Sequence, residues 1–231
     1  MGQPETIITG VYLVGGPNIS HAEDATAFVI VFSDQLVMID SGVGRSVPVI
    51  LENIQAAGLD PGQISTLILT HCHIDHIGGA GAIKELTGCR IIVHDLDADA
   101  VETGDPTRTA AGWYGSKLVP LVVDQRLTGD LTSLSFGGEI LHCLHTPGHT
   151  PGSISIYLDR DGQRILFGQD IHGPFHPAFD SDVDAWAESM QKLLDLEADI
   201  LCEGHFGIFQ TKDRVKKYIQ RYLKENERFP P

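Results

Sequence analysis

The chain opens on apolar runs broken by turn residues: ITGVYLV, then TAFVIVF and LVMID, with Gly15-Gly16-Pro17-Asn18 after the first. Branched and aromatic side chains suit a pleated, half-buried surface, so these runs predict strands and the glycine-proline cluster a loop. Helical and strand patterns then alternate. Residues 45–57 predict a helix, STLILT a strand, 77–87 a helix and RIIVHD a strand, the rhythm of α/β units. Residues 103–131, including GDPTRTAAGWYGSK, read as a loop-rich insertion or lid. Strands follow around SLSF, EILHCLHT, SISIYL and RILFGQD. A helix over 182–196 puts Val183, Trp186, Met190, Leu193 and Leu194 on one face, and the short strand DILCEG precedes a last helix over 211–228. Its stripe of Val215, Tyr218, Ile219, Tyr222 and Leu223 is that of a helix packed on the domain. No linker, repeat or low-complexity segment intervenes, so residues 1–231 read as one domain of two β-rich halves with helices outside.

With 231 residues, 42% of them hydrophobic, the chain can bury a sizeable core. No stretch approaches the roughly 20 apolar residues of a membrane span. The opening MGQPETIITG lacks the basic and apolar regions of a secretory signal, so a cytoplasmic address is expected. Cys72, Cys89, Cys143 and Cys202 lie far apart, mostly in apolar segments, which suits reduced, buried thiols. The net charge of −15 is uneven: residues 211–228 hold seven of the 16 Lys and Arg against three acids, leaving nine basic and 28 acidic residues elsewhere. Such a body repels phosphate backbones. Nucleic acid and membrane are therefore not expected as partners, a small-molecule substrate is, and homo-oligomerisation is left open.

The densest chemistry is THCHIDHIGG, residues 70–79, following the apolar run ISTLIL. It places His71, His73, Asp75 and His76 within six positions at the expected end of a strand. There, alternation would point His71 and His73 the same way, while the following turn presents Asp75 and His76. Neutral imidazoles and a carboxylate are the donors that borderline divalent metals prefer, and Gly78-Gly79 lets the chain turn closely over an ion. Four such donors so close together serve no obvious packing purpose.

THCHIDHIGG resembles the His-x-His-x-Asp-His signature of the metallo-β-lactamase superfamily, and further landmarks follow in order over nearly the whole chain. IDSG at 39–42 is similar to the turn that buttresses the metal loop, and TPGHTPGS at 146–153 to the segment with the next histidine ligand. FGQD at 167–170 is similar to the strand end with a bridging aspartate, and EGHFG at 203–207 to the last ligand segment. The resemblance implies an α+β fold, a four-layer αβ/βα sandwich with a metal groove at one edge. It also implies two divalent ions, zinc first, with iron or manganese as alternatives. His71, His73 and His149 would hold one ion, Asp75, His76 and His205 the other, and Asp170 would bridge them. Gln169 departs from the glycine that often precedes that aspartate, so the local turn is expected to differ. Asp40 reads as a partner that orients a ligating histidine.

A water shared by two divalent ions loses its proton near neutral pH beside a carbonyl that one ion polarises. The expected reaction is therefore hydrolysis of a small ester, thioester or lactone by a metal-bridging hydroxide, with Asp75 as the catalytic side chain that orients the nucleophile or receives a proton. His172 and His176 in the Gly/Pro-bent stretch QDIHGPFHPAF are candidate substrate contacts, as are Tyr114 and, with Asp24 beside it in the first loop, His21. His94, His142 and His145 read as structural.

Subfamily features mostly subtract. A glyoxalase II would carry a long helical extension for glutathione, whereas 26 residues follow His205. A lactonase would place a tyrosine shortly after Asp170, where this chain has IHGPFHP. Two rival readings share the fold. A mononuclear iron persulfide dioxygenase has similar THCHIDHIGGAG and PGHTPG segments, but the arginine-containing stretch expected after its aspartate is absent here. A non-catalytic sensor is opposed by the complete ligand set.

Overall fold

The computed structural model describes residues 2–33 and 35–227. Its first sheet runs in chain order: β1 (Glu5–Ile8), β2 (Val11–Gly15), β3 (Ala27–Phe32), β4 (Gln35–Ile39), β5 (Ile64–Ile68), β6 (Arg90–His94) and β7 (Gln125–Leu127). Pairing is antiparallel from β1 to β4 and parallel from β4 to β7. The second sheet contains β8 (Leu131–Phe136), β9 (Glu139–His145), β10 (Ile154–Arg160), β11 (Gln163–Gln169), β12 (Ile200–Glu203) and β13 (Ile208–Gln210) in the order β13-β12-β11-β10-β9-β8. All its pairs are antiparallel except β11 with β12.

The alternation of apolar residues explains the layering, because each sheet must bury two faces. Phe28, Ile30, Val37 and Ile68 of the first sheet meet Cys143, Ile156, Ile165 and Phe167 of the second, forming the central layer. Between them, Phe28 and Phe167 pack edge to face at 5.1 Å. The outer face of the first sheet, through Val29, Met38, Leu67 and Ile91, is covered by α1 (Val47–Ala56), α3 (Ala80–Thr87) and α4 (Asp95–Thr103). Leu166 and Leu201 on the outer face of the second are covered by α5 (Val183–Asp195) and α6 (Lys212–Glu227). The result is the expected four-layer αβ/βα sandwich. The stripe residues Val215, Tyr218 and Ile219 of α6 are buried as anticipated, while Arg228 lies outside the described residues. No described helix is long and apolar enough to cross a membrane. Cys72, Cys89, Cys143 and Cys202 are free and buried.

Several elements differ from the sequence pattern. ITGVYLV is two strands rather than one, because Gly10, at φ +78°, reverses the chain. The predicted helix over 77–87 splits into a single turn, α2 (Ile74–Ile77), and α3. At the break, a Cβ on Gly78 would strike the Val43 carbonyl and one on Gly79 the Ser41 carbonyl, so both glycines permit close packing of the two loops. The loop-rich stretch 103–131 contains β7, and the end of the chain contains β13. Each is three residues long, too short to show a period. Helix α4 was not anticipated, since DLDADAVET is mostly polar and buries only Asp97, Ala98, Ala100 and Val101.

Candidate metal centre

The metal-ligand candidates sit where loops leave the strands of both sheets along one edge of the sandwich. His71 and His73 are not on a strand end, as alternation suggested: β5 stops at Ile68, and the two histidines lie in the loop beyond it. That loop is held from its backbone. Asp40 Oδ1 accepts from Thr70 N at 2.8 Å, and Asp97 Oδ2 accepts from Cys72 N at 3.0 Å. Asp75 and His76 lie on α2, whose last turn is tied to the IDSG turn by Ser41 N donating to the His76 carbonyl at 2.6 Å. Buried Asp97 also accepts from Thr150 Oγ1 at 2.7 Å and Gly152 N at 2.9 Å, so one carboxylate ties the 70–76 loop to the segment carrying His149. Nothing in the polar run around Asp97 singled it out beforehand.

The His76 and His149 rings are each oriented through the nitrogen facing away from the centre. His76 Nδ1 is 2.7 Å from Asp40 Oδ2, and His149 Nδ1 donates to the Pro174 carbonyl at 2.8 Å. An acceptor at Nδ1 fixes the proton there and leaves Nε2 with a lone pair. His149 Nε2 then lies 2.9 Å from His73 Nδ1, and the His71 and His73 rings are 4.6 Å apart. Burial, with neighbouring imidazoles, depresses His71 and His73 well below the ordinary histidine value, and burial brings His149 to about 4. All three are neutral at pH 7, the form that ligates metals.

His71, His73, His149 and Asp170 form one group of converging donor atoms, and Asp75, His76 and His205 a second. Asp170 faces both. Its Oδ1 is 3.1 Å from His76 Nε2 and 3.3 Å from His205 Nε2, and its Oδ2 is 3.4 Å from His149 Nε2. Asp75 Oδ2 is 3.3 Å from His205 Nε2. Among the described residues, His71 Nε2, His76 Nε2 and Asp170 Oδ1 are buried with no hydrogen-bond partner. His76 Nε2 faces Asp170 Oδ1 at 3.1 Å, so the gap between them calls for positive charge, either a second proton on the imidazole or a cation in between. Burial opposes charge on His76, but Asp170, Asp40 and Asp75 outweigh it and hold its pKa well above the usual value, another sign of concentrated negative charge. The donor set therefore fits divalent cations.

Gln169 adopts a φ of +43°, and its side-chain Oε1 accepts from Asp170 N at 2.8 Å. Above the donors lies a cavity of about 450 Å³ bordered by Tyr114, Trp113, Phe179, His172 and Phe206. Tyr114 and His172, two of the candidate substrate contacts, line it. Burial and the Asp75 charge push the Tyr114 phenol up, so it stays a neutral donor. His172 Nδ1 is 3.0 Å from Oε1 of buried Glu203, whose Oε2 accepts from His205 N at 2.7 Å and Phe206 N at 2.8 Å. Glu203 was also missed by sequence reasoning.

Two expected substrate contacts do not border the cavity. His21 caps its own turn, with Nδ1 accepting from Glu23 N at 3.2 Å, and faces solvent. Exposed His176 accepts from Ala178 N at 3.0 Å and packs behind the wall, 5.4 Å from Trp113 and 5.5 Å from Phe179. Both imidazoles are used up in local turns. Asp24 is an anchor: fully buried, it accepts from Val43 N at 2.8 Å and from the Ser20 and Ser46 hydroxyls. His94 and His145 stack at 4.0 Å, and His142 stacks on Tyr157 at 4.6 Å, in structural roles. A larger groove of about 660 Å³ lies between α5 and α6, away from every one of these donors.

Two sheets with the donor groups at their shared edge define a metal-dependent hydrolase. The chain belongs to the metallo-β-lactamase superfamily, whose model matches residues 22–205. It is 30% identical to the probable metallo-hydrolase YflN of Bacillus subtilis (strain 168), over 88% of this chain and 82% of that one. It is 27% identical to the acyl-coenzyme A thioesterase MBLAC2 of Gallus gallus, over 93% and 84% of the two chains. In structure it is similar to a HARLDQ-motif mutant of a metallo-β-lactamase from Cronobacter sakazakii, with a TM-score of 0.85 and 23% identity over 99% and 96% of the chains, a likeness of fold. Family and donor set together imply divalent metal ions.

Proposed function

We propose that the protein is a dinuclear hydrolase of a small ester, thioester or lactone. The observation that carries this reading is Asp170, whose two oxygens face different donor groups, Oδ1 toward His76 and His205 and Oδ2 toward His149. His71, His73 and His149 would hold one ion, Asp75, His76 and His205 the second, and Asp170 would join them; zinc suits this mixture of nitrogen and oxygen donors. When bound, such a pair acidifies a shared water and polarises a substrate carbonyl.

The remaining work falls to the chain. Asp75, buried beside His205, orients the attacking water and can take up a proton. Tyr114, kept protonated, can donate to an oxygen of the substrate, and Trp113 and Phe179 shield the reacting bond from bulk water. The intact Asp75, His76 and His205 group favours this reading over a mononuclear oxygenase, which needs only two histidines and a carboxylate. The thioesterase relative supports an acyl bond as the point of attack.

Elemental analysis of freshly purified protein is the test, and two ions per chain are expected. His76→Ala and His205→Ala should each retain fewer ions and lower thioester or lactone hydrolysis by about a hundredfold, the upper part of the range for a disturbed metal site. One ion in the native protein, or oxygen uptake with a persulfide that survives both substitutions, would overturn the proposal.

A further inference from the structure

We infer that the part of the substrate that is not hydrolysed is uncharged and apolar, and that it rests on Trp113 and Phe206 at the mouth of the cavity. The inference deepens the hydrolase reading and rests on it. Trp113 is 59% exposed and Phe206 57% exposed, yet both border the same cavity from separate segments of the chain. Large aromatic surface at the rim of a concave site is what an apolar ligand covers. Each aromatic also begins a path to the donors. Trp113 packs on Phe179 at 4.8 Å, and Phe179 on His73 at 4.3 Å. On the other side, Phe206 packs on His172 at 4.7 Å, and His172 on His205 at 5.2 Å.

Charge narrows the class further. None of the described residues bordering the cavity is a lysine or arginine. Arg45 reaches the Tyr114 carbonyl at 2.9 Å, but its other nitrogen is paired with Glu23 at 2.5 Å. Arg108 lies 3.5 Å from both Asp97 and Asp180. Around them the chain carries a net charge of −15, with seven of its cationic residues confined to 211–228. Beyond the donor groups, the cavity lining offers a polyanionic leaving group such as coenzyme A no cation to pair with, and the acidic body repels it. A neutral thiol or alcohol with an apolar body would instead gain from covering Trp113 and Phe206.

The test compares two thioesters with the same acyl group, one of coenzyme A and one of uncharged N-acetylcysteamine. At low ionic strength, kcat/KM should favour the neutral thioester by at least about tenfold, the lower end of what electrostatic steering provides, and the gap should close as salt is added. Trp113→Ala and Phe206→Ala should each narrow the preference by raising KM for the neutral thioester. In parallel, the stable thioether analogues are titrated against tryptophan fluorescence, with Trp113→Phe as the control for signal from Trp186. Equal or better turnover of the coenzyme A thioester overturns the inference while leaving the hydrolase reading intact. If neither thioester turns over but the neutral thioether still quenches Trp113, the hydrolase reading fails and the pocket chemistry stands. If neither analogue binds, the inference falls.

Discussion

His76 Nδ1 lies 2.7 Å from Asp40 Oδ2, with both groups buried, so the metal loop is pinned to the turn after β4. Asp40 also accepts both Thr70 donors, the amide at 2.8 Å and the hydroxyl at 2.7 Å, and holds a φ of +56° that asparagine and aspartate tolerate best. Asp40→Asn keeps the shape and the backbone but removes one acceptor. The affinity of the His76 side of the centre for a metal ion should fall by about ten- to a hundredfold. Competition against a chromophoric chelator measures this, and unchanged affinity would show that the pair only supports the fold.

Asp170→Ala removes the only carboxylate among the described residues that faces both donor groups. At least one ion should be lost, and hydrolysis should slow by several kcal/mol of barrier, on the order of a metal's Lewis-acid contribution. Gly204→Ala tests the same carboxylate without touching a donor, because its Cβ would land against Asp170 Oδ1. It should reproduce a weaker form of the metal loss. Full occupancy in both variants, read by elemental analysis, would place the bridge elsewhere.

His172 and His176 should now separate. His172→Ala opens the cavity wall and frees Glu203, so KM should rise severalfold across a panel of esters, thioesters and lactones. His176→Ala removes only packing behind Trp113 and should have less effect. Because His172 also lies near Asp170 and His205, metal content is measured alongside, and loss of an ion on His172→Ala would reassign it as a ligand.

His94 gives a pH prediction outside the metal centre. Burial, then the charge of His145 stacked on it, lowers its pKa from 6.5 to about 4. The unfolded chain therefore takes up this proton near pH 6.5 while the folded chain does not, so the contribution to stability is complete above pH 6.5 and is lost as pH falls toward 4. Urea midpoints at pH 7, 5.5 and 4.5 should decline less steeply for His94→Asn than for the parent. Parallel declines would refute the assignment.

Much of the architecture was legible because it follows from local rules. The apolar periods located α1, α5, α6 and most of the strands, since a residue's face depends only on its spacing from its neighbours. THCHIDHIGG, TPGHTPGS, FGQD and EGHFG likewise carried their donors in plain view, because metal donors come from a few side-chain types, here histidine and aspartate, wherever the chain runs. Short edge strands such as β7 and β13 were not legible, as three residues cannot display a period.

Only the tertiary structure decided how those donors meet. His71 and His73 converge through a loop tied down by Asp40 and Asp97, 31 and 26 residues away from His71, rather than through strand alternation. Asp97 and Glu203 look like any acid in the sequence, and their importance comes from the segments they join: the 70–76 loop with the His149 segment, and His172 with His205. His21 and His176 look like site residues, yet each spends its imidazole on a nearby backbone amide. The sequence alone determined which chemistry was present and roughly which edge of the sandwich would hold it. Which side chains face that chemistry depended on hydrogen bonds between distant segments, whose partners exist only once the two sheets have packed.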